Sequence, residues 1–170
     1  APIAHGRLMG LNLDAVRAMP DVVAVLTAAD IPGANDCGSI IHDDPILCDG
    51  EIRYLGQPLF AVLARTRQAA RRAAAQAKKI ASVEADEPVL TPKQAHALGQ
   101  YVVPPMKLTR ETQAGATTLA IENAPHRLQG QWEVGGQEQF YLEGQISYAI
   151  PKEGQAVHVY CSTQHPSEMQ

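Results

Sequence analysis

The sequence is poor in aromatic residues and carries no long block of basic ones. Phe, Trp and Tyr together make up 5% of the 170 residues, and the formal net charge is -4. Surfaces that bind nucleic acid need clustered cations for the phosphates and aromatic rings for the bases. The composition therefore predicts no nucleic-acid partner.

Cysteine is also scarce. The chain has three, Cys37, Cys48 and Cys161, an odd number without a Cys-x-x-Cys spacing. A structural zinc site draws on ligands in close sequence pairs, and a disulfide framework needs an even count. We therefore expect reduced thiols and a cytoplasmic location.

Long hydrophobic runs are missing as well. No apolar stretch approaches the roughly 20 residues that span a bilayer, so no membrane association is expected. The run Ala1-Pro2-Ile3-Ala4-His5 lacks an initiator Met and the basic and apolar regions of a signal peptide. We expect the chain to be a fragment that begins inside a longer protein.

Common catalytic and metal-binding signatures are absent too. No serine lies in a Gly-x-Ser-x-Gly turn, and neither a dinucleotide-binding glycine pattern nor a phosphate loop occurs. His42-Asp43-Asp44 offers metal-binding side chains, but adjacent residues rarely converge on one ion and Asp is common in turns. We interpret this run as a turn, and no histidines have the paired spacing of a metal site.

The first hundred residues alternate between short strand and helix patterns. Val22 to Leu26 is a continuous β-branched run, typical of a strand buried on both faces. Alanines recur on one face of a predicted helix over 66–79, and Thr27 is expected to cap a short turn. Further strands are predicted at 7–13, 51–54, 59–64 and 80–84, and further helices at 15–19, after Asp14 as N-cap, and at 92–98. The predicted fold class is α/β, with helices covering a mixed sheet.

Two features of this first part have competing interpretations. Residues 32–50 are rich in Gly, Asp, Asn and Pro and predict one long irregular loop, a kind that is usually functional or bound to a partner. A cluster of arginines could meet an acidic partner or could simply be the solvated side of the helix, which is the commoner case. Its members are Arg65, Arg67, Arg71 and Arg72.

The pattern changes after residue 100. Pro104-Pro105 and Gly115 are typical of a linker, and long strands joined by short turns are predicted beyond it at 126–134, 139–150 and 156–162. We predict a first domain over 1–100, a linker over 101–117 and the start of a second domain over 118–170. Uncovered edges of these strands would favour self-association, so an oligomer is expected.

The most informative motif is the run Gly135-Gly136-Gln137-Glu138-Gln139-Phe140-Tyr141-Leu142-Glu143. Paired glycines followed by an uncharged amide suit a backbone that closely approaches a large polar ligand. A second run, Ser162-Thr163-Gln164-His165-Pro166, follows about twenty residues later.

These runs resemble the molybdenum hydroxylase family, as do the segments at 3–8, 19–33 and 54–64. The order and spacing of the segments carry the resemblance, which covers nearly the whole chain and is closest to the large subunit of bacterial xanthine dehydrogenases. It implies an α/β hammerhead domain followed by the first β-meander strands of a molybdopterin-binding domain. It also implies that Gln137 lies beside molybdenum and meets an oxo ligand, and that Gly136 lets the backbone approach the cofactor.

The resemblance implies as well what this chain does not contain. The family's catalytic base is a glutamate in a segment beyond residue 170, so no catalytic residue is expected here. Glu138 and Glu143 would point to opposite faces of a strand, and we interpret them as structural or as supporting neighbours of the site. The family commonly has His where this chain has Gln139, so no role is assigned to that residue. FAD and iron–sulfur clusters are expected on a separate small subunit, and the remainder of the large subunit is the expected intramolecular partner.

The implied activity is hydroxylation of a purine, from hypoxanthine or xanthine to urate, with oxygen from water. The isolated chain is expected to be inactive. Two alternatives remain open: a structural or subunit-assembly module that uses the 33–50 loop, and an aldehyde or other heterocycle hydroxylase of the same family.

Overall fold

The computed structural model describes residues 1–106, 113–142, 144 and 146–169. The chain divides into two compact units, Ala1–Val103 and Pro104–Gln170. Every strand pairing among the described residues is antiparallel.

A three-stranded sheet organises one side of the first unit. Strand β1 (Gly6–Leu11) lies between β3 (Glu51–Ile52) and β5 (Ala81–Ala85). Arg7 on the central strand faces Glu84, and their side chains form an ion pair at 2.8 Å. A register shift between Leu8 and Gly10 bends β1 against β5.

Gly6 is required where β1 begins. Its φ is +146°, a region that other residues rarely adopt, and a Cβ placed there would lie 2.0 Å from the carbonyl oxygen of Glu84. The glycine therefore allows the central strand to approach β5 closely.

A second, two-stranded sheet pairs β2 (Val22–Leu26) with β4 (Ala61–Ala64). Helices α1 (Asp14–Arg17) and α2 (Arg67–Ala74) pack against it. The prediction that β2 is buried on both faces is wrong, because Val25 is buried while Leu26, the next residue and thus on the opposite face, is 37% exposed. Val23 is 64% exposed at the register shift between Val22 and Ala24.

The helix predicted over 66–79 forms as two segments, α2 and α3 (Ala77–Ile80). Thr66 caps α2, since its hydroxyl oxygen accepts a hydrogen bond from the amide of Ala69 at 3.1 Å. Ala69 and Ala73 are its buried residues, one turn apart, so the alanine face packs inward as the pattern predicts.

Two further N-caps follow local sequence rules, and one predicted N-cap does not form. Thr27 and Asp30 cap a short 3-10 turn over Ala28–Asp30, and Thr91 caps α4 (Pro92–Ala97) together with Gln94. The exception is Asp14, the predicted N-cap of the first helix. It is instead the first helical residue, and its carboxylate pairs with Arg17 one turn later.

Two small clusters of buried side chains hold the first unit together. One joins the two-stranded sheet to its helices through Leu13, Val16, Val25 and Ala73. The other lies under the three-stranded sheet. Its members are Cys48, Ile52 and Leu59.

The second unit is sparser. It contains α5 (Ala116–Glu122), a hairpin of β6 (Ser147–Pro151) and β7 (Val157–Cys161), and α6 (Pro166–Met169). The strand predicted at 156–162 is confirmed. Of the described residues in the segment predicted at 139–150, only 147–150 lie in a strand, and the strand predicted at 126–134 does not form. Strands need hydrogen-bonding partners, and the described residues of this unit offer these segments none. Helix α5 has no counterpart in the sequence prediction.

The predicted combination of helices and strands is confirmed, although the sheets are small and antiparallel. No helix in the described ranges is long and apolar enough to cross a membrane.

Candidate functional site

The sequence-predicted site residues Gly136 and Gln137 lie in an exposed, irregular segment between α5 and β6. A Cβ added to Gly135 or Gly136 would meet nothing within 4 Å, and neither glycine has a positive φ. Their own fold therefore gives no reason for glycine at these positions. The open space leaves room for a bulky group against this backbone.

Gln137 is exposed, and no hydrogen bond within the described residues engages its amide. A primary amide has two N–H donors and a carbonyl acceptor and stays uncharged over the whole physiological pH range. The side chain is thus free to bind a polar group beside it.

The chain turns sharply just after Gln137. A carboxylate oxygen of Glu138 accepts a hydrogen bond from the amide of Phe140 at 3.3 Å, and Phe140 has a φ of 53°. This local bond replaces the predicted strand and gives Glu138 a structural contact. Glu143, the other carboxylate of the motif, lies outside the described residues.

Large apolar side chains on both sides of the glycine pair are exposed. Trp132, three residues before Gly135, has 90% of its surface in contact with solvent. Burial of such side chains is worth about 1.5–3 kcal/mol each, so a stretch like this favours a covering surface. The others are Leu128, Val134, Phe140, Tyr141 and Leu142.

The second motif, 162–166, ends in a short turn and a helix start. The amide of His165 donates to the hydroxyl oxygen of Thr163 at 3.0 Å, and α6 begins at Pro166. Thr163 and Pro166 line a shallow groove of about 550 Å³ beside β7. No hydrogen bond among the described residues joins this motif to the glycine pair.

The hairpin before this motif carries a row of aromatic rings. Tyr148 and Tyr160 are cross-strand partners whose ring centroids lie 6.3 Å apart, and His158 stacks on Tyr160 at 4.6 Å. Such pairs stabilise a hairpin by about 0.2–1 kcal/mol. The rings therefore stabilise the hairpin from which the second motif continues.

The long loop of the first unit is far more ordered than its composition predicts. The carboxylate of Asp36 accepts hydrogen bonds from the amides of Asp44 at 2.9 Å and Gly38 at 3.2 Å, and it pairs with His42 at 2.8 Å. Asn35 exchanges two hydrogen bonds with the backbone of Leu47. The loop is therefore a preformed structure.

Hydrogen bonds and desolvation in this loop shift the pKa values of two side chains. The hydrogen bond from the Asp44 amide, followed by those from His42 and Gly38, lowers the pKa of Asp36 despite some desolvation. Desolvation, with Asp44 and Asp36 nearby, raises the pKa of Cys37. A raised thiol pKa lowers the thiolate fraction and hence the reactivity of Cys37.

The interpretation of His42-Asp43-Asp44 as a turn agrees with this network, in which His42 contacts Asp36. No group of three or more potential metal-binding side chains occurs in the described part of the chain. All three cysteines are free thiols.

A separate open groove of about 1480 Å³ lies in the first unit, between the turn after β3 and the region of α4. It contains none of the predicted site residues. Its exposed apolar members include Tyr54, Leu55, Leu90 and Leu98.

Sequence reasoning missed one polar residue, Gln57, which is only 2% exposed. Its side-chain oxygen accepts a hydrogen bond from the amide of Arg53 at 2.8 Å. The sequence signal is its position between Gly56 and Pro58, which marks a tight turn whose amides need a partner.

Comparison with known proteins explains the two-part architecture. Residues 1–84 match the family model of the aldehyde oxidase and xanthine dehydrogenase a/b hammerhead domain, and residues 100–170 match that of the molybdopterin cofactor-binding domain. The chain belongs to the molybdenum hydroxylase family.

Relatives named for two different activities are similar to this family member. Aldehyde oxidase 2 of Cavia porcellus is 35% identical over 167 residues, and xanthine dehydrogenase of Dictyostelium discoideum is 31% identical over 168 residues. Each alignment covers 98% of this chain and 12% of the relative. The chain therefore spans about an eighth of the length of these relatives.

Two solved structures show the same fold. The aldehyde oxidoreductase from Desulfovibrio gigas superposes on 95% of this chain with a TM-score of 0.72 at 19% identity, covering 19% of that protein. The match to the aldehyde oxidoreductase from Desulfovibrio desulfuricans ATCC 27774 covers 57% of this chain and 12% of that protein, with a TM-score of 0.51 at 27% identity.

The chemistry of Gln137 and the glycine pair is compatible with a molybdenum cofactor. An uncharged amide donor and an unobstructed glycine backbone suit an anionic, bulky group. The described residues supply one wall for such a group and no enclosure, since the segment around Gln137 is exposed throughout.

Proposed function

We propose that this chain serves a molybdenum hydroxylase that converts hypoxanthine or xanthine to urate with oxygen from water. The observation that carries the proposal is the exposed Gly135-Gly136-Gln137 segment inside the stretch that matches a molybdopterin cofactor-binding domain. When bound, the cofactor supplies the redox centre for the oxygen transfer.

In this proposal Gln137 acts as a neutral hydrogen-bond donor. Its Nε2 amide would face an oxo oxygen of the cofactor, where a donor stabilises negative charge without introducing a group that titrates. Gly136 would present backbone without a side chain, so that the cofactor can lie within van der Waals distance of it. Both roles are those of binding and orientation.

The proton transfers of the reaction are assigned to residues outside this chain. Glu138 is engaged with the Phe140 amide, and no base is proposed among residues 1–170. We therefore expect the 170-residue chain alone to turn over no purine.

The proposal includes two partners. One is the remainder of the large subunit, because the matched relatives are about eight times as long. The other is a small subunit that carries FAD and iron–sulfur clusters. Each such cluster takes about four cysteine ligands, and this chain has three cysteines in all.

Free thiols in an odd number also suit a reducing, cytoplasmic location.

An aldehyde hydroxylase is the second candidate. The observation in its favour is that aldehyde oxidases align with this chain at 32–37% identity, against 30–32% for xanthine dehydrogenases. The Ser162-Thr163-Gln164-His165-Pro166 run supports the purine substrate instead.

A third candidate, of a different class, is an assembly module without a catalytic role of its own. The observation in its favour is the ordered 35–49 loop, which presents Ile40 with 90% of its surface exposed. A preformed loop with an apolar tip is suited to docking, since little conformational entropy is lost on binding.

One experiment separates the three. The protein is purified from its natural source, its mass and molybdenum content are measured, and turnover of xanthine and of an aromatic aldehyde is followed with an artificial electron acceptor. Molybdenum with xanthine turnover supports the purine proposal, and a preference for the aldehyde supports the second candidate. A metal-free polypeptide of 18.3 kDa would overturn both and leave the assembly module.

A further inference from the structure

The backbone before Gln137 and the backbone after it are held very differently. Two glycines precede this residue, and glycine restrains φ and ψ less than any other residue type. The Gln137 side chain is exposed and has no hydrogen bond among the described residues. Neither the preceding chain nor a neighbouring side chain therefore fixes the direction of its amide.

The chain after Gln137 is restrained by one contact. A carboxylate oxygen of Glu138 accepts a hydrogen bond from the backbone amide of Phe140 at 3.3 Å. Among residues 135–142, all of which the structure describes, this is the single hydrogen bond. It closes a ring that begins at the residue bonded directly to Gln137, so it limits the backbone torsions beside the amide side chain.

The conformation of Phe140 shows that this turn is held against an unfavourable backbone. Its φ is 53°, a left-handed conformation in which a bulky aromatic residue is rare. One other non-glycine residue in the described ranges has a positive φ, and it is Asp21, a residue type that tolerates this region. Such conformations persist where the surroundings compensate for them, and they cluster at functional sites. The Glu138 carboxylate supplies the compensating contact here.

We infer that Glu138 is a positioning residue for Gln137: its hydrogen bond to the Phe140 amide fixes the turn that presents the Gln137 side chain to the cofactor. The inference rests on the proposed function, in which Gln137 donates to an oxo oxygen. It gives Glu138 no contact with cofactor or substrate and no part in proton transfer. The turn requires an acceptor oxygen at this position and does not require the negative charge.

Orientation of the donor bears on turnover more than on substrate binding. A donor that is already oriented stabilises developing charge without reorganising during the reaction. Gln137 is proposed to face the cofactor and not the substrate. Loss of the turn should therefore lower kcat and leave KM nearly unchanged.

The test uses the full-length enzyme with its preferred substrate, and activity is expressed per bound molybdenum. Glu138→Ala, which has no acceptor oxygen, should lower kcat about 10–100-fold, the range for groups that orient the surroundings of a metal, and should change KM by less than about twofold. Glu138→Gln keeps a carbonyl oxygen for the Phe140 amide and should retain most of the activity. Glu133→Ala removes an exposed carboxylate two residues before the glycine pair and is the matched control.

A double-mutant cycle shows whether Glu138 acts through Gln137. In the Gln137→Ala background, Glu138→Ala should cost less than about twofold, because the side chain that it orients is already gone. An equal loss in both backgrounds would overturn the inference, since Glu138 would then act independently of Gln137. Equal losses in Glu138→Ala and Glu138→Gln would also overturn it, since the charge and not the acceptor would then matter.

Electron paramagnetic resonance of the molybdenum in partly reduced enzyme gives a readout that does not depend on turnover. Glu138→Ala should shift this signal in the same direction as Gln137→Ala, because both remove the same oriented donor. Glu138→Gln and Glu133→Ala should reproduce the unaltered signal. A Glu138→Ala signal identical to that of the unaltered enzyme would contradict the inference.

Failure of this inference and failure of the proposed function give different results. Full activity in Gln137→Ala would overturn the proposed donor role and this inference with it. A damaged Gln137→Ala enzyme beside an unaffected Glu138→Ala enzyme would overturn this inference alone. Circular dichroism establishes that each variant is folded. Should Glu138→Ala not fold, Glu138→Met, which keeps the length of the side chain and lacks an acceptor oxygen, takes its place with the same expected results.

Discussion

The side-chain oxygen of Gln57 lies 2.8 Å from the backbone nitrogen of Arg53 and accepts its hydrogen bond in a site closed to solvent. This contact spans the turn between β3 and β4. It gives the Arg53 amide a hydrogen-bond acceptor within the turn. A buried polar side chain thus holds the turn that connects the two strands.

Replacement of Gln57 by Ala should lower the free energy of unfolding by about 1–3 kcal/mol, because the Arg53 amide loses its acceptor. Urea denaturation followed by circular dichroism measures the change. Gln68→Ala, at an exposed position of α2, is the control and should have little effect. Equal effects of the two substitutions would show that the buried hydrogen bond contributes nothing.

Gly6→Ala should destabilise the first unit by about 1–3 kcal/mol, the range for a residue forced into a rarely populated backbone region. The added methyl group would collide with the Glu84 carbonyl across the sheet. Gly10→Ala in the same strand meets nothing within 4 Å and is the matched comparison. Thermal melting of both variants measures the difference, and a Gly6 variant as stable as the Gly10 variant would refute the steric argument.

The loop around Asp36 should lose stability in acid. Its carboxyl pKa is lowered in the folded chain, so the carboxylate stabilises the fold above the unfolded pKa of about 3.9. That contribution disappears as the pH falls through the lowered folded pKa. The protection factors of the Gly38 and Asp44 amides, which are exchange rates measured by NMR relative to the intrinsic rate at each pH, should fall below about pH 4.

Asp36→Asn provides the corresponding variant. It should remove the acid dependence of the protection factors of these two amides and lower both factors at neutral pH. Asp49→Asn, which keeps the Asp36 network intact, should leave the pH profile unchanged. If the pH dependence of amide protection were unchanged in the Asp36 variant, the acid effect would have to come from another group.

Gln137→Ala in the full-length enzyme should reduce kcat/KM by about 10–100-fold, the usual cost of losing a residue that supports a metal centre. Gln137→Glu should be at least as harmful, because a carboxylate offers no donor and adds a negative charge. Gln131→Ala, exposed six residues earlier, is the control. Molybdenum content measured alongside activity separates loss of cofactor from loss of turnover, and full activity in both Gln137 variants would remove this residue from the site.

Local signals in the sequence predict much of the first unit. Thr27 caps the short turn as predicted, and the alanine spacing identifies the buried face of α2. These features depend on neighbours within one turn of chain, which a single sequence displays.

Features that depend on distant partners are not predictable in this way. Val23 belongs to an apolar run, yet it is 64% exposed where the pairing of β2 with β4 shifts register, and that shift depends on the partner strand. The segment at 126–134 has the alternation of a strand, but a strand forms only where another lies beside it. Of the candidate site, Gly136 and Gln137 follow from resemblance, and only their exposure and open surroundings come from the structure.

The exposed Trp132 is a built-in fluorescent probe of the segment around the glycine pair. It is the single tryptophan of these 170 residues, so the tryptophan emission of this chain comes from one known place, three residues from the glycine pair. In water the indole emits at long wavelength, and any cofactor, subunit or further stretch of polypeptide that covers this segment would shift the emission to the blue. The state of the segment can therefore be followed in solution, without a label, while the protein assembles.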